Sequence, residues 1–237
     1  MIYAQILAGG KGTRMGNTAM PKQFLPLGEK PILIQTIEKF VLEHRFKAIL
    51  VVCPADWLTH TKDIISKFIK DPRVVVVTGG SERNDTLMNG IAYIKKTFGL
   101  SDDDVVVTHD AVRPFITERI IDDNINAILQ HTAVDTVVPA IDTIVRGEKN
   151  QVAEIPIREY MYQGQTPQSF NIKKLKKAFG QLTNAQKKVL SDSCKICLLA
   201  GEEVHMVRGE VSNIKITTPY DLKIAQASVE KRLIILC

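Results

Sequence analysis

The chain has 237 residues, 45% hydrophobic and 24% charged, an ordinary globular composition with enough apolar material for a sizeable core. Its 31 Lys and Arg against 26 Asp and Glu give a formal charge of +5, but the basic residues are scattered, with no like-charge block and no interleaved aromatics. That excludes an evident nucleic-acid surface and leaves room for a local polyphosphate site. No apolar run approaches the ~20 residues of a membrane helix, and the apolar start runs straight into Gly9-Gly10-Lys11-Gly12 without a basic leader, so a cytoplasmic chain without membrane insertion is expected.

In chain order, Ile2–Leu7 reads as a strand, Pro31–Leu42 as an amphipathic helix, Ala48–Cys53 as a strand and Trp57–Lys70 as a helix. Val74–Thr78 (strand), Asp85–Phe98 (helix), Val105–His109 (strand), Thr117–His131 (helix) and Ala133–Pro139 (strand) continue the alternation. Short β-branched runs separated by helices predict an α/β fold: a doubly wound, mostly parallel open sheet, Rossmann-like, in one domain over residues 1–237. Such sheets bind ligands beyond the carboxyl ends of their strands. Three strands here are followed by glycine-rich or charged loops: Ala8–Arg14, Gly79–Thr86 and Asp110–Pro114. At about 139–165 the rhythm breaks; Thr143–Arg146 and Gln151–Ile157 predict a projecting β-hairpin arm around Gly147, and an apolar arm of that kind points to a homodimer. Of the four cysteines, Cys194 and Cys197 form a lone CxxC, which reads as reduced buried thiols on a helix before Gly201 rather than as a redox or zinc motif.

The loop Leu7-Ala8-Gly9-Gly10-Lys11-Gly12-Thr13-Arg14-Met15-Gly16, followed by Pro21-Lys22-Gln23, can bring backbone N–H groups against phosphate oxygens. It fits neither the dinucleotide spacing, which would need glycine at Met15, nor the Walker spacing. Arg14 and Lys22 beside it suit chemistry at phosphorus; a solvated glycine turn is the plainer alternative. In Gly79-Gly80-Ser81-Glu82-Arg83-Asn84-Asp85-Thr86 the glycine pair permits close approach to a flat base, and Asp85 or Ser81 can cap the following helix. In Thr108-His109-Asp110-Ala111-Val112-Arg113-Pro114-Phe115, Asp110 at a strand end is a natural Mg²⁺ ligand and Arg113 a forked phosphate contact, with a structural ion pair as the alternative and His109 read as a core histidine. Near the C-terminus, Lys215 in an alternating Ile-Lys-Ile strand points away from the core, and Thr218-Pro219 opens the last helix.

Together with Tyr162-Gln163-Gly164-Gln165-Thr166-Pro167-Gln168-Ser169-Phe170 and Asn213-Ile214-Lys215-Ile216-Thr217-Thr218-Pro219, these motifs resemble, in order and over residues 2 to about 225, the cytidylyltransferases that act on polyol phosphates. The group includes the ribitol-5-phosphate cytidylyltransferases of wall teichoic acid synthesis, which the downstream motifs resemble most, and the 2-C-methyl-D-erythritol 4-phosphate cytidylyltransferases. The resemblance implies CTP and ribitol 5-phosphate as substrates, a divalent cation such as Mg²⁺ on Asp110, and a homodimer, with a ribitol-5-phosphate-forming reductase as a further partner. It implies CTP contacts from Leu7, Ala8, Gly9, Gly10, Lys11, Gly12, Gly80, Ser81, Arg83, Asn84, Asp85 and Thr86. Arg14, Lys22, Arg158 and Lys215 become the catalytic cations, and Arg113, Arg158 and Thr166 the acceptor contacts. A methylerythritol phosphate acceptor, or a nucleotide-binding regulator without catalysis, are the other readings.

Overall fold

The computed structural model describes residues 1–10, 15, 20–190 and 192–235. Its centre is a seven-stranded sheet. The strands are β1 (Ile2–Leu7), β2 (Phe46–Cys53), β3 (Val74–Thr78), β4 (Val105–Asp110), β5 (Ala133–Pro139), β8 (Tyr162–Asn171) and β9 (His205–Arg208), with the short β6 (Arg146–Glu148) and β7 (Gln151–Glu154) outside it. From edge to edge the order is β3-β2-β1-β4-β8-β5-β9. Every neighbouring pair is parallel except those made by β8, which runs antiparallel to both β4 and β5.

The helices are α1 (Ile32–Val41), α2 (Leu58–Phe68), α3 (Arg83–Phe98), α4 (Glu118–Ile128), α5 (Ile172–Gln181), α6 (Asn184–Lys188), α7 (Cys194–Leu199) and α8 (Pro219–Ile235). Strand periodicity explains the layers. Ala4 and Ile6 of β1 pack with Ile37 and Phe40 of α1 and Ile121 and Ile125 of α4 on one face. Tyr3 of β1, with Leu50 and Val52 of β2, meets Leu87 and Ile94 of α3, Leu175 of α5 and Ile196 of α7 on the other. A sheet apolar on both faces must be covered on both, and burial of Ile6, Ile49, Leu50, Val51 and Val107 to 0% exposure is the result.

The chain leaves β1 towards β2 and β3, then returns to place β4 on the other side of β1. The carboxyl ends of β1 and β4, with Leu7 level with Asp110, are therefore a switch point of the topology.

Four expectations are adjusted. The hairpin β6–β7 turns at Lys149 and Asn150, both at positive φ (48° and 64°), rather than at Gly147. Residues from Tyr162 onward leave the arm and join the central sheet as β8, whose carboxyl half is buried between β4 and β5 with its polar groups satisfied there: Thr108 and Thr136 hydroxyls donate to the Gln168 and Pro167 carbonyls (2.8 and 2.6 Å), and the Ser169 hydroxyl donates to Asn124 Oδ1 (3.0 Å). Helix α3 begins at Arg83 after Glu82, and neither Ser81 nor Asp85 caps it. Lys215 lies in irregular chain, not in a strand; Ile216 still anchors it, fully buried, with its N–H bonded to the Val112 carbonyl at 2.9 Å.

Helix α8 does open as expected, Thr218 Oγ1 accepting from the Asp221 N–H (3.3 Å) while Asp221 Oδ2 accepts from the Thr217 and Thr218 N–H groups. Cys53, Cys194 and Cys197 are free and buried. Among the described residues no helix is long and apolar enough to cross a membrane.

Candidate active site

A cleft of about 470 Å³ opens at the switch point, in the size range of small-molecule sites. Its walls are the three loops read from the sequence. Leu7, Ala8, Gly9 and Gly10 extend from β1; Ser81, Glu82, Arg83 and Thr86 come from the loop and first turn after β3; Asp110, Ala111 and Val112 follow β4; Lys22, Gln23 and Lys215 close it.

The first two loops meet at Thr86. Its hydroxyl donates to the Glu82 carbonyl (2.9 Å) and accepts from the Gly80 N–H (3.2 Å). Glycine is needed around it: a Cβ on Gly80 would stand 2.3 Å from the Asp85 Cβ, and one on Gly79 3.1 Å from Thr86. Across the cleft, Gln23 Nε2 donates to the Ala8 carbonyl at 2.8 Å, pinning the start of the first loop, and Lys22 Nζ donates to the Ile216 carbonyl at 2.9 Å.

Asp110 forms the floor, only 5% exposed. Arg83 Nη1 lies 2.5 Å from Oδ1, Lys215 Nζ 2.8 Å from Oδ2 and Arg113 Nε 3.5 Å from Oδ2. Burial alone would raise this carboxyl; the three cations outweigh it and hold it well below the usual carboxylate range. Arg113 also donates to the Asn213 carbonyl (2.7 Å), and burial lowers its own pKa. Lys215, 38% exposed, is the most accessible of the three cations.

Beneath the floor a neutral chain of hydrogen bonds fixes the backbone. The Asp110 N–H donates to Thr166 Oγ1 (3.1 Å), which lies 2.9 Å from His109 Nδ1, and His109 Nε2 is 3.0 Å from the Arg113 carbonyl. A carbonyl only accepts, so Nε2 carries the proton and the Thr166 hydroxyl donates to Nδ1. Burial pushes His109 down to about 4, in keeping with a neutral ring.

The structure thus brings together Leu7, Ala8, Gly9, Gly10, Lys22, Ser81, Arg83, Thr86, Asp110 and Lys215. Other candidates lie elsewhere. Asn84 turns inward and accepts from the Ser193 hydroxyl (3.1 Å), Asp85 accepts from the Ser81 hydroxyl (3.0 Å), and Gly80 supports the cleft without lining it. Arg113 and Thr166 work from below Asp110, and Arg158 sits exposed on the arm, donating to the Ile141 carbonyl at 3.0 Å. Lys11, Gly12 and Arg14 lie outside the described residues. Gln23, Glu82 and Val112 line the cleft without having been singled out, and Asn213 holds Arg113 while its Nδ2 donates to the Thr166 carbonyl (2.9 Å). Gln23 directly follows Lys22, and Glu82, Val112 and Asn213 lie inside the motifs read from the sequence, so their position was the signal and their residue type was not.

A mostly parallel sheet with glycine loops and fixed cations at its switch point is the arrangement of a nucleotidyltransferase, and the chain belongs to the 2-C-methyl-D-erythritol 4-phosphate cytidylyltransferase (IspD) family, whose sequence profile matches residues 2–231. It is 70% identical to the ribitol-5-phosphate cytidylyltransferase of Lactiplantibacillus plantarum over 232 residues, 98% of this chain and 100% of that protein. The fold matches the 4-diphosphocytidyl-2C-methyl-D-erythritol synthase of Anaerococcus prevotii with a TM-score of 0.81 at 30% identity, covering 97% of this chain and 96% of that one. It matches the 2-C-methyl-D-erythritol 4-phosphate cytidylyltransferase of Francisella tularensis with a TM-score of 0.79 at 28% identity, covering 95% and 98%.

Proposed function

We propose that this chain transfers the cytidylyl group of CTP to D-ribitol 5-phosphate, giving CDP-ribitol and pyrophosphate. The observation that carries the acceptor is the 70% identity, end to end, with a ribitol-5-phosphate cytidylyltransferase. The chemistry is attack by an acceptor phosphate oxygen on the α-phosphorus of CTP. The attacking oxygen is already ionised, so the protein's task is to position two polyanions and neutralise them.

The cleft suits that task. The backbone of Gly9 and Gly10 faces it without side chains, and the loop braced by Thr86 offers Ser81 and backbone groups for the cytidine. Lys22 and Lys215, with Arg14 from the same loop region, stabilise charge at the reacting phosphates. Asp110 fits a divalent cation: it is an ionised carboxylate on the cleft floor, and Mg²⁺ is usually held by one or two carboxylates plus substrate phosphates. Such a cation would supply further charge neutralisation on the nucleotide phosphates.

The arm supports a homodimer. Ile141, Val145, Val152, Ile155, Ile157 and Tyr160 on and beside it are each at least half exposed, and an apolar surface of that kind marks an interface. Arg158 shares this surface, outside the cleft of its own chain, and would contact the acceptor phosphate only in the assembled dimer. A cytoplasmic setting, a role in wall teichoic acid synthesis and association with a ribitol-5-phosphate-forming reductase belong to the same reading.

The test is pyrophosphate release from CTP and Mg²⁺ with ribitol 5-phosphate and methylerythritol phosphate side by side. Ribitol 5-phosphate should win in kcat/KM by about tenfold or more, the scale on which a pocket separates related substrates. Preference for methylerythritol phosphate overturns the acceptor and leaves the family chemistry standing; release with neither overturns both.

A further inference from the structure

Outside the lining of the cleft, Asp135 of β5, Asp192 just before α7 and Cys194 at the start of α7 each place one ligand-type atom within 4.8 Å of the other two. Asp135 and Asp192 are half-buried, which leaves a way in from solvent, and Cys194 is buried. Among the described residues neither carboxylate has a lysine or arginine in an ion pair. The two acids are instead bridged by a neutral amide. Gln168, fully buried on β8, extends its carboxamide into the gap, and its Nε2 donates to Asp135 Oδ1 (2.9 Å) and Asp192 Oδ2 (2.7 Å). The other atom of that amide, Oε1, is buried and has no hydrogen-bond partner among the described residues. An orphaned buried acceptor costs about 1–3 kcal/mol and calls for an explanation.

We propose that Asp135, Asp192, Cys194 and the Gln168 carbonyl oxygen form a binding site for a divalent cation of the zinc class. A half-turn of the carboxamide exchanges nitrogen for oxygen and points Oε1 at the same gap, where a cation held between the two acids would be its partner in place of the two N–H contacts, while Nε2 would turn to the position Oε1 now holds. The donor set is one sulfur and three oxygens. Thiolate favours zinc-like ions over Mg²⁺, which prefers an all-oxygen octahedron. Binding forms an S–metal bond, breaks the Cys194 S–H bond and releases that proton to solvent. The site is distinct from Asp110 but adjoins it through Arg83, which is ion-paired to Asp110 and also lies in the field of Asp192 and Cys194.

The test uses the full chain, stripped with chelator and titrated with Cd²⁺ as a spectroscopic substitute for Zn²⁺. One equivalent should produce the ultraviolet cadmium–thiolate charge-transfer band with proton release, and Zn²⁺ should displace it while excess Mg²⁺ does not. Cys194→Ser should abolish the band; Cys53→Ser and Cys197→Ser should keep it. If Cys194→Ser fails to fold, Asp135→Asn carries the test, because its amide oxygen still accepts from Gln168; it should weaken Cd²⁺ by about tenfold or more. No band, a band that survives Cys194→Ser, displacement by Mg²⁺, or unchanged affinity in Asp135→Asn each overturns the site.

Discussion

His109 makes the stability of this protein pH-dependent in a calculable way. Its ring is fully buried and held down to about 4 by that burial, against 6.5 in the unfolded chain. Between those values the unfolded chain takes up a proton that the folded chain refuses, so this contribution to stability is present above about pH 7 and is lost as pH falls towards 4. The gap of about 2.5 pH units, at about 1.4 kcal/mol each, amounts to about 3 kcal/mol in full and about 2 kcal/mol at pH 5. Asp135, pushed up to about 6 chiefly by burial, acts in the opposite sense over an overlapping window, so the wild-type curve alone does not isolate His109. The comparison with His109→Gln does: glutamine keeps an N–H for the Arg113 carbonyl, lacks the titration, and leaves Asp135 unchanged. Urea unfolding of both proteins at about pH 7.5 and about pH 5 should show the wild type losing about 2 kcal/mol relative to the variant. A relative change below about 0.5 kcal/mol, or an NMR titration placing His109 near 6.5, would refute the buried neutral imidazole.

Three further outcomes test the rest of the site. Thr166→Val removes the hydroxyl shared by His109 Nδ1 and the Asp110 N–H; two buried groups left unpaired should cost about 2–5 kcal/mol in chemical denaturation, and Thr166→Ser should restore most of it. Gly80→Ala would place a Cβ 2.3 Å from that of Asp85; the loop must shift, and the KM for CTP should rise several-fold with little change in the KM for the acceptor, whereas equal effects on both would count against a nucleotide role. Lys215→Ala should lower kcat by about 10²–10³ while changing CTP affinity far less, the pattern of a lost transition-state stabiliser; an unchanged kcat in a pyrophosphate-release assay removes Lys215 from the chemistry.

How much of this was legible in the sequence depends on the range of the interaction. Ile2–Leu7 and Ala133–Pro139 are found where alternation and β-branching put them, because a strand sandwiched between helices records both of its faces in its own residues. The three loops at the strand ends are equally legible, since connectivity alone carries them to one rim. The polar pairings are not. Arg83 reads as part of a nucleotide loop, yet its guanidinium reaches Asp110, 27 positions on; Thr166 and Asn213 read as motif letters, yet they brace Asp110 and Arg113 from behind. Of these contacts only Thr166 with Asp110 joins neighbouring strands, β8 and β4; Arg83 comes from the start of α3 and Asn213 from the chain after β9, so each pairing waits on the assembled fold.

The same pairings explain how a site for two polyanions exists before either arrives. Three cations crowded at the end of one strand would repel each other in low dielectric, and Asp110 cancels part of that repulsion. Arriving phosphates compete with Asp110 for those cations. Lys215, accessible and on a flexible stem, is free to exchange partners first, whereas Arg113, buried and tied to the Asn213 carbonyl, stays with the floor. On the proposed reading, in which Asp110 holds the divalent cation, an acid released from Lys215 would gain room for it only when phosphate is present, so Asp110→Asn should abolish the Mg²⁺ dependence of CTP binding while leaving a residual, Mg²⁺-independent affinity. Equal Mg²⁺ dependence in wild type and variant, measured by CTP titration calorimetry, would show that the cation is held elsewhere.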